Sequence, residues 1–292
     1  MPVDNTIEKQ NLHARWISFQ NMKGGTGKTV SAVTVGSELA SRGNKVLLID
    51  LDAQGNLTSI VMAGQDRPPK RSIFDALTLE ARFDECIFQT FATLDESSPI
   101  RNNLFIIPGS RRFQPQAFSN GAKDVYRLME SREIIEEAFR EITGEWPVYV
   151  ILDSGPEAGI LNTMTMLASS YAVNATLAAK LPRDGTKQFI ADIRETYKYY
   201  AGVSVKPLGI LITNYRPNTN VGKYNLEQYA ELGAEFAPPF KTTIASSCRV
   251  DEASELGLPL QEYDQRCRTT ISYQEFTDEM IHRIEQLERE EK

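Results

Sequence analysis

The sequence predicts an α/β fold in which helices cover both faces of a doubly wound, mostly parallel sheet. Two observations support this fold class. Short apolar runs end in polar or glycine-rich turns, which is typical of parallel strands that are buried on both faces. Helical stretches separate these runs along the chain, and this alternation implies right-handed β-α-β crossovers. In such a sheet, ligands bind at the carboxyl ends of the strands.

Six apolar runs are predicted to be strands. Three of them lead directly into polar or glycine-rich loops: Trp16 to Gln20, Lys45 to Asp50 and Val148 to Asp153. The other three are Leu104 to Pro108, Ala172 to Leu177 and Leu208 to Asn214. The loops after the first three strands therefore contain the main candidate functional residues.

Four stretches are predicted to be helices. The first runs from Lys28 to Arg42 and ends at Gly43, because glycine readily adopts the left-handed conformation that closes a helix. The second runs from Val125 to Ile142 and ends at Gly144 in the same way. The remaining two are Thr186 to Tyr200 and Tyr273 to Leu287, the last of which spaces its apolar residues for docking on the core.

The 292 residues are predicted to form one domain, since a chain of this length can bury a single substantial core. We assign residues 16–292 to this domain and residues 1–15 to a short N-terminal extension. Residues 63–103 contain Pro68, Pro69 and Pro99 among scattered charges. They are predicted to be an irregular insertion packed beside the sheet.

Composition and charge restrict the classes of function. The chain is 41% hydrophobic and 24% charged, which is ordinary for a soluble enzyme. Its net charge of −7 argues against DNA binding through overall positive charge, so any DNA contact must be a local patch. No segment has the length and apolarity of a membrane span, and the first 15 residues lack the layout of a signal peptide. We therefore expect a cytoplasmic protein with free thiols at Cys86, Cys248 and Cys267.

The segment from Lys23 to Thr29, Lys-Gly-Gly-Thr-Gly-Lys-Thr, has the features of a phosphate-binding loop. It follows a predicted strand and opens a predicted helix, which is the context that such a loop requires. Lys28 is predicted to contact the β and γ phosphates of ATP, and the Thr29 hydroxyl to bind Mg²⁺. The residues predicted to bind the nucleotide through this loop are Lys23, Gly24, Gly25, Thr26, Gly27, Lys28 and Thr29.

This loop departs from the common pattern, because Met22 replaces the first glycine and Lys23 follows it directly. In this respect it resembles the deviant Walker A motif of the ParA/MinD ATPases. The resemblance implies that Lys23 has a catalytic role, crossing a dimer interface to contact the phosphates of the partner's ATP. A cation from a second subunit neutralises phosphate charge only when two ATP-loaded subunits face each other. The similarity extends from about Arg15 to Ile284.

Three carboxylates end two of the predicted strands. Asp50 and Asp52 occupy positions i and i+2 of an extended segment, so both side chains point the same way. Residues 50–56 are similar to the family's D-x-D-x-Q-G-N motif, which implies that Asp52 orients the attacking water and that Asp50 helps to hold the magnesium shell. Asp153 ends a hydrophobic strand as in a Walker B motif and is predicted to bind Mg²⁺ through water. The family usually has D-x-P-P here, whereas this chain has Ser154-Gly155-Pro156, so we expect the loop that senses the γ phosphate to move differently.

Two further assignments lie in the second half of the chain. Asn214 ends a predicted strand and is assigned either to an adenine contact or to capping of that strand. Residues 244–260 resemble the ParA segment V-x-E-A-x-x-x-G-x-P, which implies that Arg249 contacts DNA. The alternative is a surface arginine paired with Asp251 or Glu252.

The resemblance implies an ATP hydrolase with weak intrinsic turnover that acts in plasmid or chromosome partition, with ATP and Mg²⁺ as cofactors. ATP would form a sandwich homodimer that binds DNA nonspecifically on the nucleoid, and a ParB-like or centromere-binding partner would trigger hydrolysis. Nonspecific binding needs only phosphate contacts from a basic patch. The candidate basic residues are Lys180, Arg183, Lys187, Arg216, Lys241 and Arg249.

Three other functions compete with this one. The alternative is a MinD-like or other cargo-positioning ATPase that acts at a membrane or protein scaffold. The acidic segment Glu285 to Lys292 disfavours a regulator that cycles on a membrane, so we expect no membrane association. An electron-transfer ATPase like the nitrogenase iron protein would need cluster cysteines near Walker B, where this chain has none. A nucleotide-binding switch without turnover is disfavoured by the presence of Asp52.

Overall fold

The computed structural model describes residues 12–64, 69–90, 97–113, 121–156, 159–200, 203, 205–217, 219–233 and 238–291. Within these residues, eight strands form one sheet. They are β1 (Arg15–Gln20), β2 (Val46–Leu51), β3 (Phe88–Gln89), β4 (Leu104–Ile107), β5 (Tyr149–Ser154), β6 (Tyr171–Leu177), β7 (Lys206–Tyr215) and β8 (Thr243–Ala245). Their spatial order is β3-β4-β2-β5-β1-β6-β7-β8.

The sheet is parallel except for its first pair, β3 and β4, which run antiparallel. β1 lies between β5 and β6, and the chain builds outward from it in both directions. A sheet wound both ways from a central strand opens a crevice at the carboxyl end of that strand. The predicted doubly wound, mostly parallel sheet is therefore confirmed, and the crevice lies where the glycine-rich loop leaves β1.

Helices cover both faces of the sheet. They are α1 (Lys28–Ser41), α2 (Asn56–Val61), α3 (Ile73–Leu77), α4 (Pro99–Asn103), α5 (Arg127–Glu130), α6 (Arg132–Thr143), α7 (Ile160–Ala168), α8 (Lys180–Tyr199), α9 (Asn220–Gly233), α10 (Arg249–Glu255), α11 (Leu260–Tyr263) and α12 (Arg268–Glu290). None of the described helices combines the length and apolar character needed to cross a membrane.

Side chains along each central strand alternate between two cores. In β2, Leu48 packs into the core that includes Leu39 of α1 and Phe276 of α12. The next residue, Ile49, packs on the opposite face in the core that includes Phe139 of α6. All five of these side chains are fully buried. The strands are therefore held from both faces, and this fixes the positions of the loops at their ends.

The structure differs from the predicted elements in several places. The helix predicted from Val125 to Ile142 is interrupted at Ser131, whose hydroxyl donates to the Arg127 carbonyl oxygen at 2.7 Å. The elements that were not predicted from the sequence also include α2, α7, α9, α10, α11, β3 and β8. The stretch predicted as an irregular insertion contains α3, β3 and α4. The division into an extension and one domain stays a prediction, although Arg15 is already the first residue of β1.

Candidate nucleotide-binding site

The loop between β1 and α1 turns tightly around the start of α1. Gly25 and Gly27 have φ values of 71° and 84°, a left-handed conformation that side chains disfavour. Gly27 is also the N-cap residue of α1. The first N–H groups of a helix have no partner within the helix, so this end of α1 is suited to bind an anion.

Thr213 of β7 fixes this loop from a distant strand. Its hydroxyl donates to the Thr26 carbonyl oxygen at 2.8 Å and lies 3.2 Å from the Thr176 carbonyl oxygen. A Cβ atom at Gly27 would lie 3.1 Å from the same hydroxyl oxygen, so the contact depends on glycine. The sequence analysis missed Thr213, although the residue directly precedes Asn214.

The two lysines of the loop have different surroundings. Lys28 is only 6% exposed, and its Nζ donates to the Lys23 carbonyl oxygen at 3.2 Å. Burial lowers the pKa of Lys28, while the charges of Asp153 and Asp52 act in the opposite direction. The Lys23 side chain, in contrast, is exposed at the surface. Lys28 therefore lies inside the site, and Lys23 lies at its outer edge.

The N-terminal part of α8 packs against the same loop at Gly185. A Cβ atom at this position would overlap Asn21 Oδ1 and lie 2.9 Å from Lys23 Cγ. Asn21 itself is held on both sides, because Oδ1 accepts from Lys23 N at 2.9 Å and Nδ2 donates to the Ala175 carbonyl oxygen at 2.9 Å. The missing side chain of Gly185 is therefore what permits α8 and the phosphate loop to touch. Neither Gly185 nor Asn21 was identified from the sequence.

Asp153 of β5 is completely buried, and neither of its carboxylate oxygens has a hydrogen-bond partner among the described residues. Burial and the neighbouring charge of Asp50 raise the pKa of Asp153 well above its ordinary value, although Thr29 and Lys28 favour the charged form. Leaving a buried carboxylate without a partner is costly.

These residues fit a magnesium ion. A hydrated cation beside Thr29 would supply the donors that Asp153 lacks, as in sites that hold Mg²⁺ through one or two side chains, water and phosphate. Within the described ranges, no three His, Cys, Asp or Glu side chains group as ligands of a metal. The arrangement thus suits an ion that arrives with the nucleotide and differs from a site built of protein ligands alone.

The carboxylate of Asp50 in β2 differs from that of Asp153, because it is hydrogen-bonded. Its Oδ2 accepts from the Thr58 backbone N–H at 2.9 Å and from the Thr58 hydroxyl at 2.6 Å, and its Oδ1 accepts from Asp52 N at 3.1 Å. Burial raises its pKa to about 6. The backbone of Gly109 packs so closely that a Cβ atom there would lie 2.8 Å from Asp50 Cγ. These bonds hold α2 onto the end of β2, and they do not favour the predicted role of Asp50 in the magnesium shell.

Asp52 lies at the wall of the cleft. It is 7% exposed, and Oδ1 accepts from Gln54 N at 2.9 Å. A Cβ atom at Gly155 would lie 3.2 Å from the same oxygen. The glycine that replaces proline in the family's D-x-P-P pattern therefore leaves room for the Asp52 carboxylate.

The cleft above the phosphate loop has a volume of about 800 Å³, which is in the range of small-molecule sites. The loop forms one wall, and Asn214 and Tyr273 line it on the side of β7 and α12. Asn214 has a left-handed backbone with φ 50°. The structure thus brings Asn214 to the same cleft as the phosphate loop and Asp52.

Arg249 is placed differently. Its guanidinium pairs with Glu252 at 2.7 Å and with Asp264 at 3.5 Å, on an exposed surface. This corresponds to the ion-paired alternative for Arg249, with Asp264 in place of Asp251. Arg216, at the end of β7, is exposed, and its Nε donates to the Ser246 hydroxyl at 3.4 Å.

Comparison with known proteins agrees with this site. Residues 14–203 match the family described as AAA domain (AAA_31). The chromosome-partitioning ATPase Soj of Treponema pallidum (strain Nichols) is 27% identical over 267 residues, which cover 91% of this chain and 96% of that protein. The chromosome partitioning protein ParA of Caulobacter vibrioides (strain NA1000 / CB15N) is 26% identical over 273 residues, 92% of this chain and 94% of that protein.

A solved structure shares the fold. Cobyrinic acid a,c-diamide synthase from Mycobacterium smegmatis, with bound ATP analogue and magnesium, has a TM-score of 0.68 at 23% identity, covering 91% of this chain and 93% of that chain. From the matched domain, the loop motif and these relatives, the chain belongs to the AAA domain family and is a ParA-type partitioning ATPase of the MinD/ParA superfamily.

Proposed function

We propose that this protein hydrolyses ATP as a sandwich homodimer during plasmid or chromosome partition. The observation that carries the proposal is the contrast between buried Lys28 and exposed Lys23 within one phosphate loop. Lys28 is positioned for the nucleotide of its own subunit. Lys23, whose side chain faces outward, is available to the nucleotide of a second copy.

Each residue of the site has one part in this proposal. The Lys28 ammonium neutralises the β and γ phosphates, and Thr29 and Asp153 hold Mg²⁺, which withdraws charge from the phosphates when bound. The Gln54 N–H fixes one oxygen of Asp52, and the second oxygen orients the attacking water. Turnover of the isolated subunit is weak because the charge of the partner's Lys23 is missing.

We assign nonspecific DNA binding to basic residues around α9 and the end of β7. Arg183 of α8 donates to Gln228 of α9 at 3.3 Å, Lys223 is exposed on α9, and Arg216 is exposed beside Ser246. Arg249 is a weaker candidate, because two carboxylates already pair with it. Lys187 and Lys241 are exposed elsewhere, and the Lys180 side chain lies outside the described residues. DNA on this surface would bring a ParB-like partner, which triggers hydrolysis, to the same complex.

Variants of the two lysines test the dimer. Lys28→Ala should weaken ATP binding by tenfold or more, because it removes a charge-assisted contact of about 1.5–3 kcal/mol. Lys23→Ala should bind ATP like the wild type but remain monomeric by light scattering with ATP, and Lys70→Ala serves as an exposed control. A Lys23→Ala protein that dimerises and hydrolyses ATP normally would remove Lys23 from the proposal.

Charge reversals test the DNA surface. Arg216→Glu should weaken binding to two unrelated duplexes equally, because phosphate contacts carry no base information. Arg249→Glu should have the smaller effect, with thermal unfolding checked because it places like charges beside Glu252. The opposite ranking would assign the contact to Arg249, and normal binding by both variants would place the patch elsewhere.

A further inference from the structure

A second cavity lies on the face of the sheet opposite α1 and α12, between α6 and the segment that follows α3. Its volume is about 970 Å³, against about 800 Å³ for the nucleotide cleft, and the two share no lining residue. We call it the α6 groove and define it by Leu79, Phe83, Ile134, Ala138 and Trp146 together with the acidic residues described below.

Two large apolar side chains of the α6 groove face solvent. Leu79 is 87% exposed, and Ile134 of α6 is 60% exposed. Leu79 also has φ 64°, a left-handed conformation that is uncommon for leucine. Single exposed apolar residues are normal on a protein surface, but these two line one concave site with Phe83 and Trp146. The groove therefore offers an apolar surface that the described residues leave uncovered.

The rim of the α6 groove is acidic on both sides. Along α6, Glu133, Glu137 and Glu141 are spaced by four residues and form one ridge of the helix. The facing wall contributes Glu80, Asp84 and Glu85. Arg82 is the one lysine or arginine among the described lining residues, which also include His13, stacked on Trp146 with ring centroids 3.8 Å apart. Three ion pairs between described residues offset part of this charge: Glu80 with Arg112, Asp84 with Arg82 and Glu137 with Arg140. Even without Glu133 in the count, five rim carboxylates against these three arginines leave a negative excess in the described part of the rim.

This charge restricts what can occupy the groove. Nucleic acid and anionic lipid would be repelled by the rim. Two copies of this chain that met groove to groove would place one acidic rim against the other. An amphipathic helix with lysine or arginine beside its apolar stripe satisfies both features, because the stripe covers Leu79 and Ile134 while the cations face the rim.

We propose that the α6 groove is a docking site for a basic amphipathic helix of another protein. The site is separate from the nucleotide cleft, and the proposal does not depend on the ATP dimer or on DNA binding.

Fluorescence anisotropy with designed peptides tests the proposal on the full chain. The probe is an amidated 18-residue peptide with leucine at i, i+3, i+4 and i+7 spacing and lysine or arginine elsewhere. One control peptide has the same composition with the leucine spacing scrambled, and the other has glutamate in place of the cations. The chain should bind the probe about tenfold tighter than the scrambled peptide, which corresponds to burial of one or two apolar side chains. It should not bind the glutamate peptide.

Variants locate the binding on the protein. Glu133→Lys/Glu141→Lys alters the rim and Ile134→Ser the apolar wall, and each should weaken probe binding by about tenfold. The matched control Glu227→Lys/Glu290→Lys changes the net charge equally at exposed positions outside the groove, and it should leave the affinity within about twofold. Basal ATP hydrolysis should be unchanged in all three, because none of these residues is among the described residues that line the nucleotide cleft. Thermal unfolding checks that each variant is folded, since Glu133→Lys places a cation in the first turn of α6.

Two results with the peptides would overturn the proposal: the scrambled peptide binds as tightly as the probe, or the probe does not bind at about 1 mM, the weak end of specific recognition. Two results with the variants would also overturn it: the control variant loses as much affinity as the groove variants, or both groove variants bind the probe like the wild type. Light scattering of wild type and Ile134→Ser without nucleotide tests the second-copy alternative, since a dimer lost in the variant would assign the groove to self-association. If the rim variant fails to fold, Ile134→Ser still decides the question. Failure here leaves ATP-dependent dimerisation untouched, because that is measured with Lys23→Ala.

Discussion

β2 and β5 each carry an aspartate near the carboxyl end, and the two carboxylates differ in their hydrogen bonding. Asp50 and Asp153 are directly paired in the register of the two strands, and both are completely buried. Asp50 accepts three hydrogen bonds from Thr58 and Asp52, whereas neither oxygen of Asp153 has a hydrogen-bond partner among the residues that the structure describes. We therefore propose a structural role for Asp50, and we propose that Asp153 is the carboxylate available to a cation. The neighbours of a buried carboxylate therefore decide its role more than its residue type or depth.

The largest expected effect comes from Asp153→Asn. Losing a ligand that positions the metal should lower ATP turnover by about a hundredfold or more, since metal assistance is worth several kcal/mol. The nucleotide-free protein should be at least as stable as the wild type, because no hydrogen bond from a described residue to the carboxylate is lost. Steady-state phosphate release and thermal unfolding without nucleotide measure the two effects. A clear loss of stability would show that Asp153 is needed by the fold itself and end the comparison.

Asp50→Asn should give the reverse pattern. The new amide would turn its N–H groups either toward the two Thr58 donors or toward the Asp52 N–H, so we expect a loss of about 1–3 kcal/mol in the free energy of unfolding. Turnover should fall far less than in Asp153→Asn. Chemical denaturation compares it with Thr58→Val, which removes one of the three donors and also the acceptor of the Gly109 N–H, so we expect a loss of similar size. Abolished turnover at normal stability would instead return Asp50 to the magnesium shell.

Gly155→Ala is the smallest and most local test. Its Cβ atom would lie 3.2 Å from Asp52 Oδ1, so the carboxylate must shift by a few tenths of an ångström. Because Asp52 is proposed to orient water, turnover should fall several-fold while ATP affinity stays the same. Asp52→Ala, which should bind ATP with turnover close to zero, sets the lower limit. Wild-type turnover in Gly155→Ala would mean that the position of Asp52 tolerates this shift or does not control the rate.

The parts of this molecule that were predicted from sequence are those encoded by neighbouring residues. The phosphate loop and the six longer strands are contiguous patterns, so their glycines and apolar runs identify them directly. Thr213 lies 187 residues along the chain from Thr26, which it contacts, and Gly185 lies 162 residues from Lys23, so only the fold brings them to the loop. β8 has three residues, too few to show a periodic pattern. The different hydrogen bonding of Asp50 and Asp153 was also not predicted, because the partners of Asp50 are set by how α2 folds back.

The contact at Gly185 has a mechanical consequence. Because Gly185 has no side chain, the backbone of α8 packs directly against Asn21 and Lys23. No flexible side chain lies at this contact to take up a movement of the loop. In the proposed dimer, a second subunit that displaced Lys23 would therefore also displace α8, a helix of 20 residues. The same helix carries Arg183, which donates a hydrogen bond to Gln228 of α9. The close contact at Gly185 would thus couple the phosphate loop to the surface around α9.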